Sequence, residues 1–510
     1  MLNKKSITLF SSLFVATPFL YGQHQRPNII YIMSDDHAAA AVSAYGSRLS
    51  QVLPTPNIDR LYHEGIRFNN CFATNSISTP SRACILTGQY SNVNNVFTLS
   101  DKLDASRPTL ATILQQNGYS TAIIGKWHLV TEPQGFDYYS CLVGQGTYYN
   151  PRFIDKDRTD SLGFVESKGK IYNGYCTDLI ANKAIDWVNN RKDKSKPFFI
   201  MCHFKAPHRP WQPAERYKHI LDSVTIPEPD NLLDTYKTRG KYTDTLEMSL
   251  EDMTESDIKT PIPSDLPRDE HRKWAYQLYM KDYLGCVAGI DDNVGKILSY
   301  LKENGLDSNT IVIYTSDQGF FLGEHGWFDK RLMQDESIRM PLLIKYPKEI
   351  KSESQESRFV LNIDFAPTLL DYAGIKIPEW MQGESFRKIA SGKEDIRWRD
   401  AVYYRYWMHN DFWHRSVANL GIRTDRYKLI FYYGAPLGKK GAREPSITPE
   451  WELYDLKNDP SEMNNLYNNP LYKEQIHKLK TELLKLRKRY KDNDPDSPDM
   501  KMIMNEYFWK

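Results

Sequence analysis

Cysteine is scarce in this chain. Six residues in 510 (Cys71, Cys84, Cys141, Cys176, Cys202 and Cys286) lie far apart, without metal-ligand spacing, which excludes zinc-ribbon and finger architectures. They leave open whether any pair as disulfides or stay as buried thiols. Net charge is scarce too. A formal +2 from 66 basic and 64 acidic residues argues against nucleic acid as a partner and against a polybasic membrane anchor. An anionic ligand would have to be met by a local cluster of cations. Beyond residue 22 no apolar run is long enough to span a bilayer. There is no internal repeat, and no low-complexity segment beyond the polar patch Lys491 to Pro498.

The N-terminus reads as an export signal over residues 1–22: Lys4 and Lys5, a mostly apolar stretch from Ile7 to Leu20, then Gly22 before Gln23. No cysteine follows to carry a lipid, so the expectation is a soluble protein exported to the periplasm. The length suits two domains, divided here as 23–375 and 376–510.

Through the first of these, short apolar β-rich runs alternate with amphipathic helical stretches, the pattern of an α/β fold with a largely parallel sheet. Asn28 to Ser34, Thr121 to Ile124, Pro197 to His203, Thr310 to Thr315 and Pro341 to Tyr346 read as strands. Thr109 to Asn117, Asp178 to Asn190 and His271 to Lys302 read as helices. After Ile375 the texture changes to aromatic β-rich runs, Val402 to Tyr406 and Arg426 to Tyr433, followed by an amphipathic helix over Leu471 to Tyr490. That predicts a smaller C-terminal α+β subdomain.

Chemistry concentrates where strands end. Asp35-Asp36 follows the first strand and Asp317-Gln318 follows Thr310 to Thr315. In open α/β sheets ligands collect outside the carboxyl ends of strands. Three carboxylates and an amide oxygen form an all-oxygen set suited to a hard divalent cation such as calcium. Lys126 and His128 follow another strand, and alternation along an extended backbone would point both into one cleft. Arg82 offers a planar, permanently charged guanidinium.

The stretch Ser78-Thr79-Pro80-Ser81-Arg82, continued to Leu86-Thr87-Gly88, resembles the signature of the type I sulfatases of the alkaline phosphatase superfamily. Gly125-Lys126-Trp127-His128-Leu129, Pro207-His208, Phe328-Asp329-Lys330 and the C-terminal Glu452-Leu453-Tyr454-Asp455-Leu456 with Asn465-Leu466-Tyr467 resemble further motifs of that family. The resemblance implies a large mixed, mostly parallel sheet between helices, with a smaller antiparallel C-terminal subdomain. It implies that Ser78 is oxidised to formylglycine by a maturation enzyme that accepts serine, a bacterial habit. It also implies that Asp35, Asp36, Ser78, Asp317 and Gln318 hold one calcium ion, although the last ligand is often Asn. Arg82 would steady the formylglycine and Lys126 would contact both it and the sulfate. His128 would bond its hydroxyl and serve as base, while His208 and Lys330 would hold sulfate and supply the general acid. His203, His325 and Lys205 have weaker claims.

Tyr90 to Leu99, Tyr403 to Trp407 and Gly421 to Thr424 resemble the N-acetylglucosamine-6-sulfatase group. The implied substrate is a sulfated glycan, 6-O-sulfated N-acetylglucosamine in host mucin or glycosaminoglycan, with His409, His414 and Arg415 as sugar contacts. Tyr403 to Trp407 reads more readily as core than as a sugar platform. The alternatives are a sulfatase for a uronate 2-O-sulfate or a galactosamine 6-O-sulfate, a superfamily phosphatase, and a glycan-binding protein on an inactive scaffold.

Overall fold

The computed structural model describes residues 26–157, 163–494 and 497–510; the predicted export signal lies outside them. A ten-stranded sheet organises the larger part of the chain. Its order is Ser354–Glu356, Ile66–Phe68, Leu342–Lys345, Thr310–Ser316, Asn28–Ser34, Phe198–His203, Ser120–Gly125, Tyr138–Leu142, Arg152–Asp155, Lys170–Ile171. The five strands from Thr310–Ser316 to Tyr138–Leu142 run parallel, and antiparallel pairings flank them on both sides.

The central strand Asn28–Ser34 is buried along its whole length, so it carries apolar side chains on both faces. Ile30 and Ile32 join one core with the 36-residue helix Arg268–Glu303 and the helix Cys176–Asn190. Ile29, Tyr31 and Met33 join the other, with the helices Leu110–Gln116 and Phe365–Tyr372. Each fully buried Ile or Leu stabilises this sandwich by about 1.5–3 kcal/mol. The six cysteines are all buried and unpaired, so they pack as small apolar groups. No helix among the described residues is long and apolar enough to cross a membrane.

The C-terminal subdomain is a four-stranded antiparallel sheet, Ala401–Tyr406, Asn419–Thr424, Tyr427–Tyr432 and Glu450–Asp455, packed with the helix Lys473–Arg489. Its core is continuous with Phe72, Ile77, Cys84 and Tyr90 of the larger part. Tyr403, Tyr404 and Trp407 are buried in it, so this aromatic run is core and not a platform for sugar.

Candidate active site

Parallel register brings the acidic residues together. Ser34 pairs with Ser316, so Asp35 and Asp317 emerge side by side where the two strands end, and the Asp317 amide donates to the Ser34 carbonyl at 3.3 Å. Asp35, Asp36 and Asp317 are fully buried, with ligand oxygens all within 4.8 Å of one another. Such crowding is costly without a cation. Burial drives the Asp36 carboxyl up to about 7, against Lys330 and with help from Asp35 and Asp317. Burial would raise Asp35 as well, but Lys126, with Arg82 and Lys330, outweighs it and holds that carboxyl well below the usual range. The Gln318 side chain is buried beside Asp36, to which its Nε2 donates, while its Oε1 has no hydrogen-bond partner. A donor set made only of oxygens, with one amide oxygen unspent, fits a hard divalent cation.

Ser78 opens the helix Ser78–Thr87, every residue of which is buried. Its Oγ donates to Asp35 Oδ1 at 3.1 Å. One turn later on the same face, Arg82 braces the cluster. Its Nε donates to Asp317 Oδ2 at 3.1 Å, its Nη2 pairs with the same oxygen at 3.0 Å, and its Nη1 donates to the Lys126 carbonyl at 2.8 Å.

Lys126 and His128 do converge, but not by strand alternation. The strand Ser120–Gly125 stops at Gly125, whose φ of +106° and whose approach to the His203 carbonyl leave no space for a Cβ. His128 then adopts a left-handed φ of +57°. The two side chains are joined by Gln145, which accepts from Lys126 Nζ through Oε1 and lies 3.2 Å from His128 Nε2 through its own Nε2. Lys126 also pairs with Asp35, and burial lowers its pKa to about 8 despite that carboxylate.

Lys330 donates to Asp36 Oδ2 at 2.7 Å; burial disfavours its charge, but Asp329 and Asp36 raise its pKa above the ordinary value. The His208 Nδ1–H donates to the Arg209 carbonyl at 2.6 Å, which leaves Nε2 facing the site, 3.9 Å from Asp36 Oδ2. Burial, then the charge of Lys126, holds both His128 and His208 well below the usual imidazole range. Both rings are therefore neutral at neutral pH.

A cavity of about 490 Å³ opens over Ser78, lined by Gln145, His208 and Lys330 and by Leu99, Arg209, Asp329, Arg331, Trp413 and His414. Of the three predicted sugar contacts, only His414 reaches it. There His414 bridges Asp411 at 2.9 Å and Asp329 at 3.2 Å. His409 is buried, with Nε2 bonded to the Pro445 carbonyl at 3.0 Å and Nδ1 accepting from the Ala418 amide, and Arg415 points away to pair with Glu247 at 2.8 Å. Neither lines the cavity. His203 is bonded to the Lys126 carbonyl at 3.1 Å, His325 is held by Asp234 and Arg239, and Lys205 is buried against the Tyr148 ring. Sequence reasoning missed Gln145, Asp329, Arg331 and Trp413 as lining groups. Asp329 stood inside the Phe328-Asp329-Lys330 motif without being singled out, and Gln145 stood between Gly144 and Gly146; Arg331 and Trp413 carried no signal.

Comparison with known proteins agrees with this geometry. The sulfatase family pattern matches residues 27–375, and that of the N-sulphoglucosamine sulphohydrolase C-terminal region matches residues 323–489. The N-acetylglucosamine-6-O-sulfatase of Bacteroides thetaiotaomicron is 43% identical over 521 aligned residues, covering 93% of this chain and 88% of that protein. The human N-acetylglucosamine-6-sulfatase is 28% identical over 407 residues, 75% of this chain and 67% of that protein. The solved structure of BT4656 in complex with its substrate D-glucosamine-2-N,6-O-disulfate superposes with a TM-score of 0.85 at 42% identity, covering 93% of this chain and all of that one. With a signature serine at the head of a buried helix, three carboxylates beneath it and cations around it, the chain belongs to the sulfatase family, sulfuric ester hydrolases on an alkaline phosphatase-like fold.

Proposed function

We propose that this sulfatase removes the 6-O-sulfate of N-acetylglucosamine residues in mucin or glycosaminoglycan fragments, acting in a bacterial periplasm. The observation that carries the substrate is the 43% identity, across 93% of the chain, to an enzyme of that name. The likeness to BT4656 in complex with a 6-O-sulfated glucosamine supports it. In this reading a maturation enzyme that accepts serine converts Ser78 to formylglycine, and Asp35, Asp36, Asp317 and Gln318 hold a calcium ion together with residue 78. When present, these groups supply charge neutralisation and a nucleophile reactive at neutral pH.

The remaining work falls to side chains. Lys330 lines the cavity as a cation and holds the sulfate, Lys126 adds its charge from beneath through Asp35, and Arg82 keeps Asp317 in register with Asp35. A sugar alkoxide is a poor leaving group, so the ester oxygen needs a proton as the bond breaks. His208 Nε2 faces the cavity and is the candidate donor. Burial and Lys126 favour its neutral form, and an incoming sulfate monoester favours its protonation by adding negative charge beside it. The cavity volume of about 490 Å³ lies in the range of pockets for small ligands.

The test is sulfate release from 6-sulfated N-acetylglucosamine, 6-sulfated N-acetylgalactosamine, 6-sulfated galactose and a 2-sulfated uronic acid, with Ser78→Ala as the blank. The Ser78 peptide is weighed for the loss of two hydrogens. Selective release from the first sugar is expected, with none from the blank. Release from another sugar replaces the substrate. Silence from protein proven to carry formylglycine favours a longer glycan or a scaffold that binds without cutting.

A further inference from the structure

Gln145 stands at the crest of a tight turn at the carboxyl end of the strand Tyr138–Leu142. Gly144 and Gly146 flank it with φ of +54° and +69°, and a Cβ at Gly146 would come 2.8 Å from the Leu142 side chain. Two glycines at left-handed positions and a glutamine aimed inward between them form a built presentation device. Its hydrogen bonds can be assigned from chemistry alone. The Lys126 ammonium, paired with Asp35, only donates, so the Gln145 atom facing it is the carbonyl oxygen. The other end of the amide is then NH₂, and it faces His128 Nε2 at 3.2 Å. An NH₂ group only donates, so Nε2 accepts and the proton of the neutral ring sits on Nδ1.

The far side of the ring agrees independently. Thr79 Oγ1 donates its hydrogen to the His128 carbonyl at 3.0 Å, leaving its lone pairs toward His128 Nδ1 at 3.5 Å. Thr79 is the neighbour of Ser78 in the signature helix. The donor–acceptor chain therefore runs one way, from Lys126 through Gln145 and His128 to Thr79, with every direction fixed.

We propose that Gln145 is a positioning residue of this sulfatase. It locks His128 as the Nδ1–H tautomer, so that the ring offers an N–H to the segment carrying residue 78 while its lone pair stays occupied. This deepens, and for its catalytic consequence rests on, the reading of the reaction given above. Of the two roles expected of His128 from the sequence, bonding the residue-78 hydroxyl and serving as base, the first is kept, with the ring donating from Nδ1, and a base role at that nitrogen is closed while Gln145 stays in place. Gln145 is thus the group that sets which face of the imidazole the reaction meets.

The experiment uses the full mature protein, labelled with ¹⁵N-histidine. Two-bond ¹H–¹⁵N correlations report which ring nitrogen carries the proton, and the His128 signal is assigned by its absence from a His128→Gln variant. The wild type is expected to show His128 protonated on Nδ1. Gln145→Glu keeps an acceptor for Lys126 but removes the donor to His128, so the proton is expected to move to Nε2 or to occupy both nitrogens. With 6-sulfated N-acetylglucosamine as substrate, Gln145→Leu and Gln145→Glu are expected to lower kcat about 10- to 100-fold, the worth of one charge-linked hydrogen bond, with KM within about twofold. A wild-type ring protonated on Nε2 overturns the inference, as does a Gln145→Leu enzyme with unchanged kcat. Absence of sulfate release by the wild type would instead refute the assigned reaction, and the tautomer measurement would still judge Gln145 by itself.

Discussion

Removing the cation from the carboxylate cluster is the perturbation with the clearest arithmetic. Three fully buried aspartates with oxygens inside 4.8 Å pair with Arg82, Lys126 and Lys330, and the Asp36 carboxyl is driven up to about 7 by burial and by its acidic neighbours, against Lys330. A divalent cation binds the folded state alone, because unfolding scatters its ligands across nearly 300 positions of chain. At about 1,000-fold over Kd, linkage adds about 4 kcal/mol to stability. The unfolding entropy of a chain this long is roughly 1 kcal/mol/K, so the melting temperature should rise by about 4 °C. The assay is calorimetry of chelator-treated protein titrated with calcium. Asp36→Asn should shrink that rise and at the same time raise the melting temperature of the metal-free protein, since it deletes one crowded carboxylate. A melting temperature that stays constant up to millimolar calcium, with all the ligands intact, would refute the reasoning.

Trp413 is 73% exposed at the cavity rim, held edge-on to Phe412 at 4.8 Å. Trp413→Ala should raise KM about 3- to 10-fold and leave kcat unchanged, the signature of lost uniform binding, in steady-state assays of sulfate release. Glu462 is buried and shares Lys428 with Asp335. Burial raises its pKa from 4.5 to about 7, against Lys428 and with the help of Asp335. A carboxyl raised on folding contributes stability that is full below pH ~4.5 and lost as pH rises through ~7. Glu462→Gln should therefore leave stability at pH 5 nearly unchanged and increase it at pH 8 by about 2–3 kcal/mol, read from denaturant midpoints. A decrease at pH 8 would show that the Lys428 pair outweighs the burial cost.

The parts of this site legible in the sequence are those fixed by local geometry. Ser78 and Arg82 share a face because they sit one turn apart on a helix. Asp35 and Asp317 meet because each follows directly on a strand whose register is set by its buried apolar run. Seven strands and four helices were read to within a few residues for the same reason, periodicity. What escaped lies on turns that bring distant segments together. Gln145 acts through a glycine turn and not through any repeat. Lys126 and His128 were expected to converge by alternation, yet the strand ends before either of them. Among His409, His414 and Arg415, composition could not say which one reaches the cavity. They lie on one loop without regular structure, and that choice depends on packing against Asp329 and Glu247 from elsewhere in the chain.

The helix Ser78–Thr87 has no exposed residue, and its surroundings come from both ends of the chain. Ser76 hydrogen-bonds Tyr404, and Ile77 and Cys84 share a core with the C-terminal sheet. Some 320 residues therefore have to be made after Ser78 before the segment can be fully enclosed, at about 5–20 residues per second of synthesis. On the proposed conversion of Ser78 to formylglycine, that interval is when a modifying enzyme can reach the serine. A molecule that completes its fold first has shut the serine away. On that proposal the fraction of active enzyme is decided by a race between modification and folding, and faster folding yields less of it.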